Sequence, residues 1–155
     1  MTKTHIILGS FLTITVGGIV MANVYSSHTS NASQAPRVRA AAIRTVPSFL
    51  TTLSKRMASQ MGDNHPISGK FVVTTRRAAN QLVAGAHVDS NPAVYLVVMQ
   101  GQFIDRVASR PAGAKAPTGD RIVFTVTVST HQILDFGITD MNPDMAKLGV
   151  VHNVL

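Results

Sequence analysis

The acid–base and metal-binding side chains of this chain are six histidines and seven aspartates, because it contains neither Glu nor Cys. Without Cys there is no thiolate nucleophile, disulfide, zinc ribbon, iron–sulfur cluster or lipid-modified cysteine. Without Glu, glycosidase and metalloprotease schemes that need that residue are excluded, as is the bidentate Glu that closes a calcium loop. His87 and Asp89 form a close His/acid pair, at a spacing that fits no metal site. His131 stands beside Ser129 and Thr130, with Asp135 just downstream, which are the parts of a hydrolase. Neighbours along a tight turn do not converge on one point, and neither a nucleophile elbow nor an oxyanion hole is present.

Two further stretches imitate ligand loops and fail. Asp140, Asn142 and Asp144 open like an Asp-x-Asn-x-Asp calcium loop, but Met145 stands where Gly must turn the chain and Val151 where the closing Glu belongs. A helix cap at Asn142 explains these residues better. The stretch 110–120 holds Gly113, Lys115, Thr118 and Gly119, but no Gly-Lys-Ser/Thr order, and it joins strands instead of opening a helix. The sequence therefore predicts no catalytic residue, no metal ligand and no cofactor.

Charge is the remaining chemical signal. Fourteen Lys and Arg against seven Asp give a formal charge of +7. Arg37, Arg39, Arg44, Lys55 and Arg56 crowd into residues 37–62 without an acid. Such a segment predicts an anion-seeking surface for lipid head groups or acidic wall polymer. Arg110 and Lys115 lie in a long Pro- and Gly-containing stretch that predicts an exposed recognition loop. Aromatic residues make up 5% of the chain, with no stacking pattern or groove-reading motif, so nucleic acid is not an expected partner.

The elements that must carry these residues begin with an address. Residues 6–24 are uncharged and follow Lys3. Such a run is long enough to cross a bilayer as a helix of ~20 residues. It reads as a signal peptide, with small-residue cleavage offsets near residues 24–32, or as an uncleaved anchor with the remainder outside. Residues 1–26 are assigned to this signal or anchor, residues 27–46 to a flexible basic linker, and residues 47–155 to one domain.

Within that domain Pro47 pre-sets a first helical turn, and Phe49, Leu50, Leu53, Met57 and Met61 recur at helical spacing up to Gly62. A short β run at 70–73 follows. Thr74 or Thr75 then caps a helix over 76–84, with Ala78, Ala79, Leu82 and Val83 inward and Gly85 ending it. Residues 93–103 are apolar on both faces, as in a central strand. A loop over 104–120, an alternating strand at 121–128, a turn at 129–132 and a strand at 133–138 complete an antiparallel meander. The predicted class is α+β, with two helices packed on one face of a small antiparallel sheet.

The runs VVTTRRAANQLVAG, AVYLVVMQG, RIVFTVTV and STHQILDFGI, over about residues 70–138, resemble the PepSY-type domain of exported bacterial proteins. In that family an Ala-containing helix opened by Thr leads into antiparallel strands that end in an Asp-x-x-Thr-Gly-x-Val-Leu turn. Here Ser129 stands where the Asp is expected. The resemblance implies restraint of peptidases or envelope binding, and it implies no catalytic residue. The expected function is an exported, non-enzymatic domain that binds a protein or peptide at the outer face of a bacterial membrane. The alternative is electrostatic binding of anionic lipid or wall polymer through residues 37–56.

Overall fold

The protein is described by a computed structural model covering residues 45–155. The hydrophobic run 6–24 and Arg37, Arg39 and Arg44 lie outside the described residues.

The domain opens with helix α1 (Ser48–Gln60). Pro47 stands one position ahead of the first turn as its cap, and its carbonyl accepts the N–H groups of Leu50 and Thr51 at 2.9 and 3.4 Å. Strand β1 (Ser68–Thr75) runs directly into helix α2 (Arg76–Ala84). That immediate change of conformation is enforced by a cap at each end of α2. The Thr75 hydroxyl accepts the Ala78 N–H, and Gly85 closes the helix in the left-handed conformation at φ 63°. Three strands follow, β2 (Ala93–Ile104), β3 (Thr118–Thr127) and β4 (Ile133–Thr139). A 3-10 turn at Met145–Lys147 leads to the two-residue strand β5 (His152–Asn153). The turn starts after Asp144, so Asn142 is not its cap.

All pairings are antiparallel, and the sheet order is β4-β3-β2-β1-β5. β2 lies at the centre, flanked by β3 and β1, as the two-sided apolarity of residues 93–103 predicted. The loop between them shortens to residues 105–117, because pairing continues to Ile104 and Thr118. β5 was not expected from the sequence, since two residues carry no periodicity.

The helices do not share one face of the sheet, which corrects the sequence expectation. Leu50, Leu53, Met57, Ala58 and Met61 of α1 pack with Phe71, Tyr95, Val97, Met99, Ile122, Phe124 and Val126. Ala79, Leu82 and Val83 of α2 pack with Val72, Val94, Leu96, Val98 and Val123, joined by Met145 and Leu148. Alternate side chains of one strand point to opposite faces. The two clusters therefore take alternate residues of β1, β2 and β3, and the sheet is covered on both sides. The physical reason lies in β2. Both its sets of side chains are apolar, and a helix pair on one face would leave Val94, Leu96 and Val98 in water.

Leu50 has no exposed surface and sits at the centre of the α1-side cluster. Leu50→Ala is expected to cost about 2–5 kcal/mol through lost transfer energy and a residual cavity. Urea unfolding of the variant and the parent, at equal slope, measures the difference.

Candidate functional site

Three places on the described domain bear on function: the outer edge of β4, a polar cluster behind that edge, and the β2–β3 end of the sheet.

β4 ends the sheet, and no described strand pairs with its outer side. Its pairing with β3 slips by one residue, since Thr125 opposes Asp135 while Val126 opposes Ile133. The extra residue, Leu134, forms a β-bulge. The bulge turns Leu134 and Asp135 together toward α2, where Leu134 joins the cluster of Val72 and Leu96. Phe136 opposes Phe124 on the α1 side and Ile138 opposes Ile122. Phe136 is 37% exposed and Ile133 38%. This seven-residue edge bears exposed apolar side chains and neither Lys nor Pro. Its bulge at Leu134 and the inward-turned Asp135 blunt the first half of the strand, while residues 136–139 pair regularly with β3.

Asp135 is the hub of the cluster behind this edge. Its two carboxylate oxygens take a fork from Arg76, with Nη2 donating to Oδ1 at 2.7 Å and Nε to Oδ2 at 3.0 Å. The Thr125 hydroxyl and the Asn80 amide donate to Oδ2 at 2.6 and 3.1 Å. Arg76 Nη1 reaches the Ser90 hydroxyl at 2.5 Å. Burial pushes the Asp135 carboxyl up, but the bonds from Arg76, Thr125 and Asn80 and the charge of Arg76 outweigh it and hold it below its ordinary value. The bond to Asp135 in turn raises the Arg76 guanidinium, against a smaller effect of burial. A bidentate guanidinium–carboxylate pair fixes geometry as well as charge. The cluster ties the start of α2 and the loop after it to the edge strand.

His131 is not Asp135's partner. It sits in the β3–β4 turn at φ 57°, with its ring stacked on Phe49 of α1 at 3.7 Å between centroids. Phe49 meets Tyr95 edge-on, Tyr95 meets Phe71, and Phe71 stacks on His152 of β5. This chain of rings crosses the α1 side of the sheet, whereas Asp135 faces α2. The residues of the imagined hydrolase are thus held on opposite faces. His87 and Asp89 lie 4.0 Å apart, both well exposed.

At the far end of the sheet, Asp63 clasps the helix terminus to β2. Its Oδ1 accepts the N–H of His65 at 2.8 Å, and its Oδ2 accepts the N–H of Gln102 at 2.9 Å. Gln102 lies where the register of β2 against β3 slips between Gln100 and Phe103. A Cβ on Gly101 would collide with the Asp63 carboxylate, so this clasp requires glycine. Asp63, His65, Ile67, Gln102, Thr118 and Asp120 border an open groove of about 710 Å³.

The loop 105–117 leaves the rim of that groove. Its base is fixed by the Asp105 carboxylate, which accepts the N–H groups of Val107 and Ala108, and by the bond from Asp105 N–H to Pro117. Arg110 and Lys115 are exposed in the loop, and Lys55 and Arg56 are exposed on α1. The cations named from the sequence therefore occupy two separate elements. Among the described residues none of these four forms an ion pair, and neither do Lys70 and Arg106. Also among the described residues, no group of three or more metal-binding side chains converges, and no helix is long and apolar enough to cross a membrane.

No family model, no curated protein and no solved structure gives a match to this chain. The reading of function rests on the residues themselves.

A carboxyl held below its ordinary value stabilises the fold fully above the unfolded value of about 3.9, and loses that contribution as pH falls through the folded value. Asp135→Asn is therefore expected to cost about 1–3 kcal/mol near neutral pH. The gap from the parent should narrow steadily as pH drops from about 5 toward 2. Urea midpoints across that range test it, and a gap independent of pH would contradict the assignment.

Proposed function

We propose that this chain is an exported, non-enzymatic domain that binds an extended segment of a protein partner at the outer face of a bacterial membrane. The observation that carries the reading is the edge of β4. A strand-addition partner obtains its affinity from main-chain hydrogen bonds and its selectivity from alternate side chains. β4 offers both, since its outer backbone groups have no described partner strand, and Ile133 and Phe136 stand half-exposed on one face. The latch between Asp135 and Arg76 supports the reading physically. It neutralises the charge on the edge strand and holds the strand against α2 before any partner arrives, which lowers the ordering cost of binding. The exposed loop 105–117 supplies a second contact with Arg110 and Lys115. Location outside the cell rests on the hydrophobic run 6–24. The likeness of residues 70–138 to PepSY-type domains agrees with this role and suggests a peptidase as the partner.

In a pull-down of envelope proteins with the full chain, Phe136→Asp is expected to lower recovery of the partner about tenfold, the equivalent of ~1.4 kcal/mol. Equal recovery with parent and variant across salt conditions would overturn the reading.

One observation favours a second reading, in which the chain holds anionic lipid or wall polymer. Seven described cations, Lys55, Arg56, Lys70, Arg77, Arg106, Arg110 and Lys115, have no carboxylate partner among the described residues. Arg37, Arg39 and Arg44 would extend that charge toward the membrane. Retention on vesicles of anionic phospholipid should then fall steeply as salt rises from about 0.1 to 1 M, where the screening length shrinks from ~10 to ~3 Å. It should fall further with Arg110→Gln and Lys115→Gln combined. Retention insensitive to both would count against it.

A further inference from the structure

We infer that, without a partner strand, two copies of this chain pair antiparallel through their β4 edges, about a two-fold axis at Gly137. The inference shares the β4 edge with the proposed function but stands or falls separately from it.

The argument starts from the two ends of the sheet. β5 is two residues long, which is one way a protein blunts an edge. β4 is seven residues long, and beyond its bulge at Leu134 residues 136–139 pair regularly with β3 and carry no charge. Two-fold pairing is the commonest way an exposed surface is satisfied by a second copy, because one patch then serves both partners.

The sequence of β4 selects the register. With Gly137 opposite its own copy, Phe136 lies opposite Ile138 of the second molecule, and Ile138 opposite its Phe136. Both belong to the α1 face, where Phe124 and Ile122 stand behind them. Apolar cross-strand pairs of this kind favour association. On the other face Asp135 lies opposite Thr139, so no carboxylate meets another. Asp135 is moreover already neutralised by Arg76.

Neighbouring registers lack this match. A centre at Phe136 would set Ile138 opposite Leu134, which the bulge has turned to the α2 side. A centre at Ile138 would set the exposed Phe136 opposite the charge of Asp140, whereas the Gly137 centre leaves Asp140 opposite Leu134, which is already packed on the α2 side.

Gly137 itself has no intramolecular explanation. Its φ is not positive, and a Cβ there would meet nothing within 4 Å. Pairing within a sheet does not require glycine, since side chains stand perpendicular to it, but glycine at the axis leaves no pair of like side chains to meet there.

The absence of Cys from the chain makes the test direct, since an introduced thiol is the only one. Residues opposed across an antiparallel pair have Cβ atoms about 4.5–5.5 Å apart, close to what a disulfide spans. In the full chain under mild oxidation, Gly137→Cys is expected to form a covalent dimer at least about tenfold faster than Val107→Cys, placed in the exposed loop as a reference. Phe136→Cys should link poorly to itself but readily to Ile138→Cys when the two proteins are mixed. Equal rates for Gly137→Cys and Val107→Cys would overturn the inference, as would self-linking of Phe136→Cys as fast as that of Gly137→Cys. Failure of cross-linking while Phe136→Asp still lowers partner recovery would overturn self-pairing and leave the peptide reading intact. Cross-linking with recovery unaffected would do the reverse.

Discussion

The constraint on which the rest of the structure depends is that β2 is apolar on both faces. Val94, Leu96, Val97 and Met99 are completely buried, and they alternate between two clusters. A strand of this kind is stable only where both faces and both edges are covered. β1 and β3 cover the edges. α1 covers one face, and α2 with the Met145–Lys147 turn covers the other. The sheet then has to end somewhere on each side of this protected centre. It ends in a short strand on one side and in β4 on the other.

Most of the elements were legible because their signals are local. Thr75 and Gly85 mark the two ends of α2 by their own hydrogen bonds and φ, so the helix could be placed from residues a few positions apart. Strand β3 showed itself by alternation. Which face each helix covers was not legible as read, although the information was present. An 11-residue run apolar on both faces requires cover on both, and the small Ala78 and Ala79 pair says only that α2 packs closely, not where. β5 was beyond local reading, since its two residues are strand only because Lys70 and Phe71 lie beside them. The same holds for the candidate site. The presence of a long loop there and the exposure of Arg110 and Lys115 followed from composition, although strand pairing takes residues from both of its ends. The freedom of β4 depends on which strands neighbour it, and the ties of Asp63 to Gln102 and of Arg76 to Asp135 span 39 and 59 residues.

The use of Asp without Glu acquires a structural sense from these ties. Asp63 and Asp105 each hold two backbone N–H groups at a turn or bulge, and Asp140 holds the N–H of Asp120. A carboxylate on a short stem is the group that reaches its own neighbouring backbone. Asp120, Asp135 and Asp144 are occupied by Arg121, Arg76 and Lys147. Six of the seven acids are thus engaged by backbone N–H groups or cations of the domain itself. The excess cations are consequently left facing water, so the basic character of the surface arises from how the acids are used as well as from how few there are.

The same logic explains why an open edge coexists with a well-anchored strand. An edge strand that frays is a poor template, because a partner must first order it. β4 is held from three directions. Its pairing with β3 holds it along its length, the fork from Arg76 holds Asp135 from the α2 side, and the stack of His131 on Phe49 fixes the turn from the α1 side. None of these contacts uses the outer edge. The bulge lets one strand serve both purposes, turning Leu134 and the strand's only charge toward α2 and leaving Ile133 and Phe136 on the opposite face. Rigidity on the inner side and availability on the outer side follow from one extra residue.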